Sequence, residues 1–371
     1  MWARKAALKA LGKAAAPTPR TGSASPKLDE AEFKRRYLEQ FRDGAFDMLR
    51  AELDRVADAA WDAYSNERKA PQTRKAGPDY ADPNYDLSLD WVAGRDAIRA
   101  AQLRHDDPLA PPRVLVINGS TRSEHTCPSE LSKSWRLAQL ACEALEAEGC
   151  ATTFLDLARL ASEYGRKIHP CKACFSTAAP LCHWPCSCYP NHSMGQTQDW
   201  MNEIYPMWVE AHGVMIVSPV HWYQSTSPLK LMIDRLVCAD GGNPDPSSTQ
   251  GKDARRAKAI ELEGWPYPRH LEGRLFSVVV HGDAEGAENV RHALTNWLRA
   301  IHMESAGASA ELDRYIGYFG PYATSHDALD EDEAIQAEVR NAALTLAHAV
   351  TARRAGRLVA TGEGLEDPRP K

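Results

Sequence analysis

Five of the nine cysteines lie within eighteen residues of one segment, between residues 171 and 188. A chain of 371 residues can bury a sizeable core without disulfide bonds, so this crowding indicates reactive thiols or metal ligands. The first two cysteines are separated by two residues, a spacing that suits either zinc or an iron-sulfur cluster. Three interpretations therefore compete: free or redox-active thiols, an iron-sulfur cluster, and structural zinc. The candidate ligands are Cys171, Cys174, Cys182, Cys186 and Cys188.

A hydroxyl-rich loop at residues 119–134 is the second chemical signal. It ends where a helix is predicted to begin, so hydroxyls, free backbone amides and one arginine would form a cradle for a phosphate. The loop lacks the Gly-Lys-Ser/Thr ending of a Walker loop and the Gly-x-Gly-x-x-Gly dinucleotide turn. An ordinary polar loop with Ser134 as a helix cap is the alternative. The candidate phosphate ligands are Ser120, Thr121, Arg122, Ser132 and Ser134.

Two later loops offer surfaces for a flat ring. The segment SPVHWYQSTSP places aromatic residues at a predicted strand end, where soluble proteins rarely expose several of them. In HGDAEG, two glycines let the backbone approach a ring edge. Together with the phosphate loop, these features describe a site for a mononucleotide with a flat heterocycle. The candidate ring contacts are Pro219, His221, Trp222, Tyr223, His281, Gly282 and Asp283.

These loops have to be positioned by strands that alternate with helices from about Arg113 onward, a pattern that predicts a parallel sheet with helices on both faces. Strands are predicted at RVLVING, ATTFLDL, GVMIVSPV and RLFSVVVHG, with a weak fifth near Ser305. Ligands of such sheets bind beyond the carboxyl ends of the strands, so the three loops should meet there. The cysteine segment follows the second strand, and we expect it to open at the same edge.

A helical extension precedes this region. Apolar residues recur near helical spacing over residues 30–68, which predicts one long amphipathic helix, and a shorter helix follows from about Trp91 to Arg104. The apolar stripe must be buried, so we expect the extension to cover the neighbouring domain or to form a homo-oligomer. The predicted domains are a disordered basic tail at 1–29, the extension at 30–110, the α/β domain at 111–355 and a flexible tail at 356–371.

Composition excludes several classes of protein. The 44 basic and 50 acidic residues leave a net charge of -6, so the chain carries no overall footprint for nucleic acid. No apolar run approaches the roughly 18 residues of a membrane span, and the basic N-terminus lacks the apolar core of a secretory signal. We therefore expect a cytoplasmic protein without nucleic acid or membrane partners. The acid-free start also has the composition of a mitochondrial transit peptide.

Three motifs carry a resemblance to a known family. VINGSTRS, SPVHWYQSTSPLKLMIDRL and VVVHGD, in this order, resemble the flavin loops of the NAD(P)H-dependent FMN reductases over about residues 112–350. The resemblance implies a flavodoxin-like fold with a five-stranded parallel sheet. It also implies that Ser120, Arg122, Ser132 and Ser134 hold the FMN phosphate. The implied ring contacts run from Pro219 through Val220 to Gln224 and from His281 to Asp283.

The implied activity is an FMN-dependent oxidoreductase that takes hydride from NAD(P)H and passes electrons to an unidentified small-molecule or protein acceptor. No dedicated catalytic acid or base is required, since the flavin carries the chemistry. The alternative is an FMN-binding electron-transfer or redox-sensing module without NAD(P)H turnover. Such a module could also hold an iron-sulfur cluster, because the cysteine segment resembles the compact motif of iron-sulfur flavoproteins. Four further basic residues have two interpretations: they form a solvated helix face, or they contact the 2'-phosphate of NADPH. These residues are Lys252, Arg255, Arg256 and Lys258.

Overall fold

The structure, a computed structural model, describes residues 16–127 and 129–357. Most of both predicted tails lies outside these residues. The extension starts with helices α1 (Glu30–Leu38) and α2 (Arg50–Ser65), joined by two short 3-10 turns. The prediction of one continuous helix over 30–68 is therefore wrong. The cause is local, because the Asp43 side chain accepts a hydrogen bond from the Ala45 amide at 2.8 Å and so starts a new turn.

The two helices bury part of their apolar stripe against each other. Phe33 of α1 stacks on Tyr64 of α2 with ring centroids 4.6 Å apart, and it also contacts Trp61 at 5.6 Å. Aromatic pairs of this kind contribute about 0.5–1.5 kcal/mol beyond their buried area. The stripe is only partly covered, since Met48 remains 94% exposed.

The rest of the extension packs on the cysteine segment and on a polar insertion at residues 240–272, which contains the basic residues from Lys252 to Lys258. Strands β1 (Thr73–Lys75) and β2 (Asp86–Ser88) form an antiparallel hairpin between the second helix and the third. Helix α3 (Leu89–Asp106) follows, close to its predicted place. The Trp91 indole donates to the Pro185 carbonyl at 3.0 Å, which fixes α3 against the cysteine segment. The predicted domain boundaries remain predictions.

The central sheet is parallel throughout and confirms the predicted fold class. Its order is β4-β3-β5-β6, and the position beyond β6 is occupied by two short strands, β7 and β8. The predicted weak fifth strand is therefore split into two pieces, which makes six strands in five positions. The strands are β3 (Arg113–Asn118), β4 (Ala151–Asp156), β5 (Gly213–Pro219), β6 (Leu275–Gly282), β7 (Glu304–Ser305) and β8 (Glu311–Tyr315).

Helices cover both faces of this sheet. Alternate residues of β3 enter opposite cores: Leu115 and Ile117 face one layer, and Val114 and Val116 face the other. Helices α6, α7 and α9 build the first layer, and α4 and α11 build the second. The helices are α4 (Lys133–Ala147), α5 (Arg159–Ser162), α6 (Met201–Glu210), α7 (Ser227–Arg235), α8 (Ala254–Gly264), α9 (Ala287–Ala300), α10 (Ser325–Glu331) and α11 (Glu333–Arg354).

A buried ion pair joins α7 to the residues that flank the cysteine segment. The guanidinium of Arg235 donates to both carboxylate oxygens of Asp199, at 2.6 and 2.9 Å, and to the His169 carbonyl at 3.1 Å. Both charged side chains are fully buried. The guanidinium also lies 4.8 Å from the centre of the Tyr189 ring. This pair therefore ties residues on both sides of the cysteine segment to one helix.

Within the described part of the chain, none of the helices combines the length and the apolar character that a membrane crossing requires.

Asp199→Asn should lower the free energy of unfolding by about 3–5 kcal/mol, because it leaves the buried Arg235 charge without its counter-charge. Urea denaturation measures this change. Lys230→Met is the matched control, since it breaks the exposed Lys230–Asp234 pair on the same helix and should cost less than about 1 kcal/mol. If both variants lost the same free energy of unfolding, the buried pair would contribute no more to stability than the exposed one.

Candidate active site

Three loops meet at the carboxyl edge of the sheet and enclose a cavity of about 690 Å³. They follow β3, β5 and β6, as the sequence predicted. Of the residues predicted to bind FMN, only Thr121 and Gln224 stay outside its lining. The predicted residues that line it are Ser120, Arg122, Ser132, Ser134, Pro219, Val220, His221, Trp222, Tyr223, His281, Gly282 and Asp283.

Five further residues line the cavity and were missed: Lys133, Ala284, Glu285, Tyr322 and Ser325. Lys133 could have been found, because it lies between two predicted serines at a helix start. Tyr322 and Ser325 come from the segment after β8, whose path toward the cavity no local motif indicates. A run of aromatic residues and glycines, GYFGPY, was the only available signal there.

One wall of the cavity is the N-terminal end of α4. Ser132, not Ser134, caps this fifteen-residue helix, since its hydroxyl accepts a hydrogen bond from the Trp135 amide at 3.1 Å. The helix end directs free amides and the positive end of the helix dipole at the cavity, which suits an anion. Ser120 lies buried beside it, where its amide donates to the Asn118 side chain at 3.1 Å.

Arg122 holds the hydroxyl-rich loop together. Its guanidinium donates to the Glu130 carboxylate and to the carbonyls of Glu130 and Leu131, both at 3.2 Å. One of its terminal nitrogens also lies 3.1 Å from His326 Nε2. The side chain therefore combines a place in the cavity wall with a structural contact to the residues that lead into α4.

His281 connects the loop after β6 to α4. Its Nε2 lies 2.7 Å from the Ser134 hydroxyl, and the ring is 3% exposed. Burial, with a smaller contribution from the Lys133 charge, lowers the pKa of His281 to about 3, so the ring is neutral at neutral pH. Its Nδ1 is buried and has no hydrogen-bond partner among the described residues. Lys133 itself pairs with Asp283 at 3.1 Å.

The aromatic wall is a tight turn in an uncommon conformation. Trp222 and Tyr223 both have positive φ, 47° and 64°, and His221 and Gln224 exchange two backbone hydrogen bonds across them. Such a two-residue turn normally uses Asn or Gly, and a bulky residue in the left-handed region costs on the order of 1–3 kcal/mol. Trp222 is nevertheless 94% exposed. A strained turn that displays a large exposed ring is typical of a binding site.

Gly286 makes room for this turn. Its φ is +115°, and a Cβ atom at this position would lie 3.0 Å from the Tyr223 Cα. Only glycine therefore fits where the loop after β6 passes the aromatic turn.

The cysteine segment lies elsewhere, which corrects the expectation that it opens beside these loops. None of its cysteines lines the cavity. Cys171 lines a second cavity of about 490 Å³ together with Asp234 and Val237, at the C-terminal end of α7. The segment can reach this place because it is long, and the Arg235–Asp199 pair holds it there.

No ready-made metal site exists among residues 16–127 and 129–357, since no three His, Cys, Asp or Glu side chains converge as ligands there. The sulfur atoms of Cys174 and Cys188 are in contact, 3.3 Å apart. The predicted ligand sets for zinc or an iron-sulfur cluster are therefore not assembled in this structure.

The free energy of unfolding should fall as the pH drops below about 6.5, because burial lowers the pKa of both His281 and His183 to about 3. Between about pH 6.5, where histidines of the unfolded chain take up protons, and about pH 3, the unfolded chain binds more protons than the folded one. Each of the two imidazoles therefore removes up to about 1.4 kcal/mol per pH unit. Thermal unfolding from pH 7 to pH 4 measures this slope. His281→Gln should make it shallower, whereas His125→Gln, at an exposed position, should leave it unchanged. If His281→Gln also left the slope unchanged, His281 would not contribute to the pH dependence of stability.

The family described as NADPH-dependent FMN reductase matches residues 112–313, which is more than half of the chain. No curated protein matches the sequence. Three similar solved structures are RosB with the bound intermediate 8-demethyl-8-formylriboflavin-5'-phosphate, a flavone reductase and the azoreductase AzrA.

RosB is 15% identical over 67% of this chain and 82% of its own, with a TM-score of 0.46. The flavone reductase is 16% identical over 64% of this chain and 63% of its own, with a TM-score of 0.37. The azoreductase is 11% identical over 64% of this chain and 99% of its own, also with a TM-score of 0.37. The match over residues 112–313 assigns the chain to the NADPH-dependent FMN reductase family, and thus to the flavodoxin-like, FMN-dependent oxidoreductases.

Proposed function

We propose that this protein takes hydride from NAD(P)H through FMN bound in the 690 Å³ cavity and passes electrons to a small-molecule or protein acceptor. One observation carries the proposal. A helix N-terminus rich in hydroxyls and a turn of exposed aromatic rings bound the same cavity. The first suits a phosphate and the second a flat heterocycle, and FMN joins these two groups in one molecule.

The phosphate end of the site is formed by the start of α4. The hydroxyls of Ser120, Ser132 and Ser134 would donate hydrogen bonds to the phosphate. The free backbone amides at the helix N-terminus would donate further hydrogen bonds. Lys133 supplies positive charge at the same place, although it shares that charge with Asp283 at 3.1 Å. Arg122 lines the same wall, and its guanidinium would add a second positive charge next to the phosphate.

The ring end of the site is formed by the loops after β5 and β6. Pro219 and Tyr223 would lie against the flat ring, while Gly282 lets the backbone approach its edge. The buried Nδ1 of His281 has no protein partner among the described residues, and a polar edge of the heterocycle would satisfy it. A buried polar atom in the cavity wall thus fits the polar ligand that the family implies.

When bound, FMN supplies the hydride chemistry, and the protein supplies position and electrostatics. His281 is neutral and buried, so it would offer hydrogen bonding without a charge at the ring edge. Trp222 stands exposed at the mouth of the cavity, where it would receive a second flat molecule. None of these functions requires a side chain that donates or accepts a proton in the rate-limiting step.

The basic insertion gives no reason to prefer NADPH over NADH. Lys252 pairs with Glu67 of the extension at 3.2 Å, and Arg256 lines a separate cavity beside Asp82. Neither side chain lines the proposed flavin cavity. This placement favours a structural role in joining the insertion to the extension.

Anaerobic mixing of the FMN-loaded protein with NADPH or NADH tests the activity. We expect the absorbance of oxidised flavin to disappear with at least one nucleotide and to return when an artificial acceptor is added. A protein that retains FMN, accepts electrons from dithionite and yet is reduced by neither nucleotide would instead be an electron-transfer module.

Arg122→Ala should weaken FMN binding by about tenfold to hundredfold, since contacts to a charged group contribute about 1.5–3 kcal/mol. Fluorescence titration of the apoprotein with FMN measures the change. Arg136→Ala is the control, because Arg136 lies on α4 but pairs with Asp330 outside the cavity. An unchanged dissociation constant for Arg122→Ala would place the phosphate elsewhere.

Trp222→Gly should raise the free energy of unfolding by up to about 1 kcal/mol, because glycine relieves the left-handed conformation and the exposed ring loses little packing. The same change should weaken FMN binding or slow reduction by the nucleotide. Ala173→Gly is the control: Ala173 also has a positive φ, of 53°, but lies outside the cavity, so only stability should change. Unchanged affinity and unchanged reduction in Trp222→Gly would remove this ring from the site.

A further inference from the structure

Two cysteines of the segment lie within reach of a covalent bond. The Cys174 and Cys188 sulfur atoms are 3.3 Å apart, and neither forms a disulfide. A disulfide requires a separation of about 2.05 Å, so the atoms need to approach by only about 1.2 Å. Both side chains are half-buried, which lets a small reagent reach them.

The remaining cysteines of the chain are less suited to this chemistry. Cys142, Cys150, Cys182 and Cys238 are buried, and the Cys238 thiol donates to the Arg235 carbonyl at 3.2 Å. Cys127 is exposed, but it lies in the hydroxyl-rich loop far along the chain from the segment. Cys186 interacts with Cys188 and is a competing partner within the segment, whereas half-buried Cys171 lines the 490 Å³ cavity at the end of α7.

One lysine of the extension lies beside the pair. The ammonium group of Lys69 donates to the carbonyl of Ser187, directly before Cys188. The thiolate is the nucleophile in disulfide exchange, and a nearby cation favours its formation. In the described part of the chain, no set of converging metal ligands competes for the two sulfur atoms.

We propose that Cys174 and Cys188 form a redox-active dithiol that low-molecular-weight disulfides oxidise to an intramolecular disulfide. One thiolate of the pair attacks a sulfur of the reagent, so that a mixed disulfide forms and one reagent thiolate leaves. The second protein thiolate then attacks the protein sulfur of this mixed disulfide and displaces the other reagent thiolate. The pair loses two electrons and two protons in total, and the reagent disulfide is reduced to two thiols.

This site is separate from the flavin cavity. The disulfide would close a loop at the place where the segment meets the extension through Lys69 and through the Trp91–Pro185 hydrogen bond. Its oxidation state would therefore fix the contact between segment and extension, without involving any residue of the cavity wall. The proposal stands whether or not the flavin activity proposed above is correct.

Treatment of the full-length protein with oxidised glutathione tests the proposal. We expect the thiol count to fall by two without stable addition of glutathione to the segment. Chymotryptic cleavage after Phe175 separates the two cysteines, so mass spectrometry should find their fragments joined, and fragmentation should place the bond between Cys174 and Cys188. Dithiothreitol should restore both thiols.

The variants have distinct expected results. In Cys174→Ser the disulfide should be absent and glutathione should remain attached at Cys188, whereas Cys186→Ser and Cys127→Ser should still form the bond. If Cys174→Ser does not fold, Cys174→Ala replaces it. The fragments of the wild-type protein alone also show whether the disulfide joins Cys174 to Cys188. A bond between Cys186 and Cys188, glutathione attached only at Cys127, or stoichiometric zinc or iron held by Cys174 and Cys188 would each overturn the proposal.

Discussion

The site depends on the parallel register of three neighbouring strands. Asn118 at the end of β3 pairs with Val217 of β5, and Pro219 at the end of β5 pairs with His281 of β6. Because the strands are parallel and end together, loops that are far apart in sequence leave the sheet at one edge. A slip of one residue would turn every side chain of a strand to the opposite layer, and both layers are buried here. The two cores therefore fix the register, and the register fixes the cavity.

The parts of the fold that sequence could predict are those set by local pattern. Strands such as VLVI are buried on both faces and read as continuous apolar runs, and the loops after them follow from topology. The break between α1 and α2 was missed because a single cap at Asp43 overrides a continuous apolar stripe. The splitting of the fifth strand was missed for a different reason, since β7 spans only Glu304 and Ser305 and is held by pairing with β6 rather than by its own pattern.

The sequence predicted most of the candidate site, but not all of it. Residues of the three motifs line the cavity. Tyr322 was not predicted because its segment has no motif, and Lys133 was not predicted although it lies between two predicted serines. No local sequence pattern could predict where the cysteine segment lies. Topology determines where a loop leaves a sheet, but a long loop ends where its tertiary contacts hold it. Here those contacts are the buried Arg235–Asp199 pair and the hydrogen bond from Trp91 to Pro185.

The aromatic turn after β5 has a consequence for how such proteins diversify. The hydrogen bonds that close the turn join backbone atoms of His221 and Gln224, and the Trp222 ring takes almost no part in packing. Side chains at its tip can therefore be exchanged during evolution without rebuilding the core. Sequence changes at the tip, above all at Trp222, would then alter the surface that borders the cavity, while the scaffold stays the same.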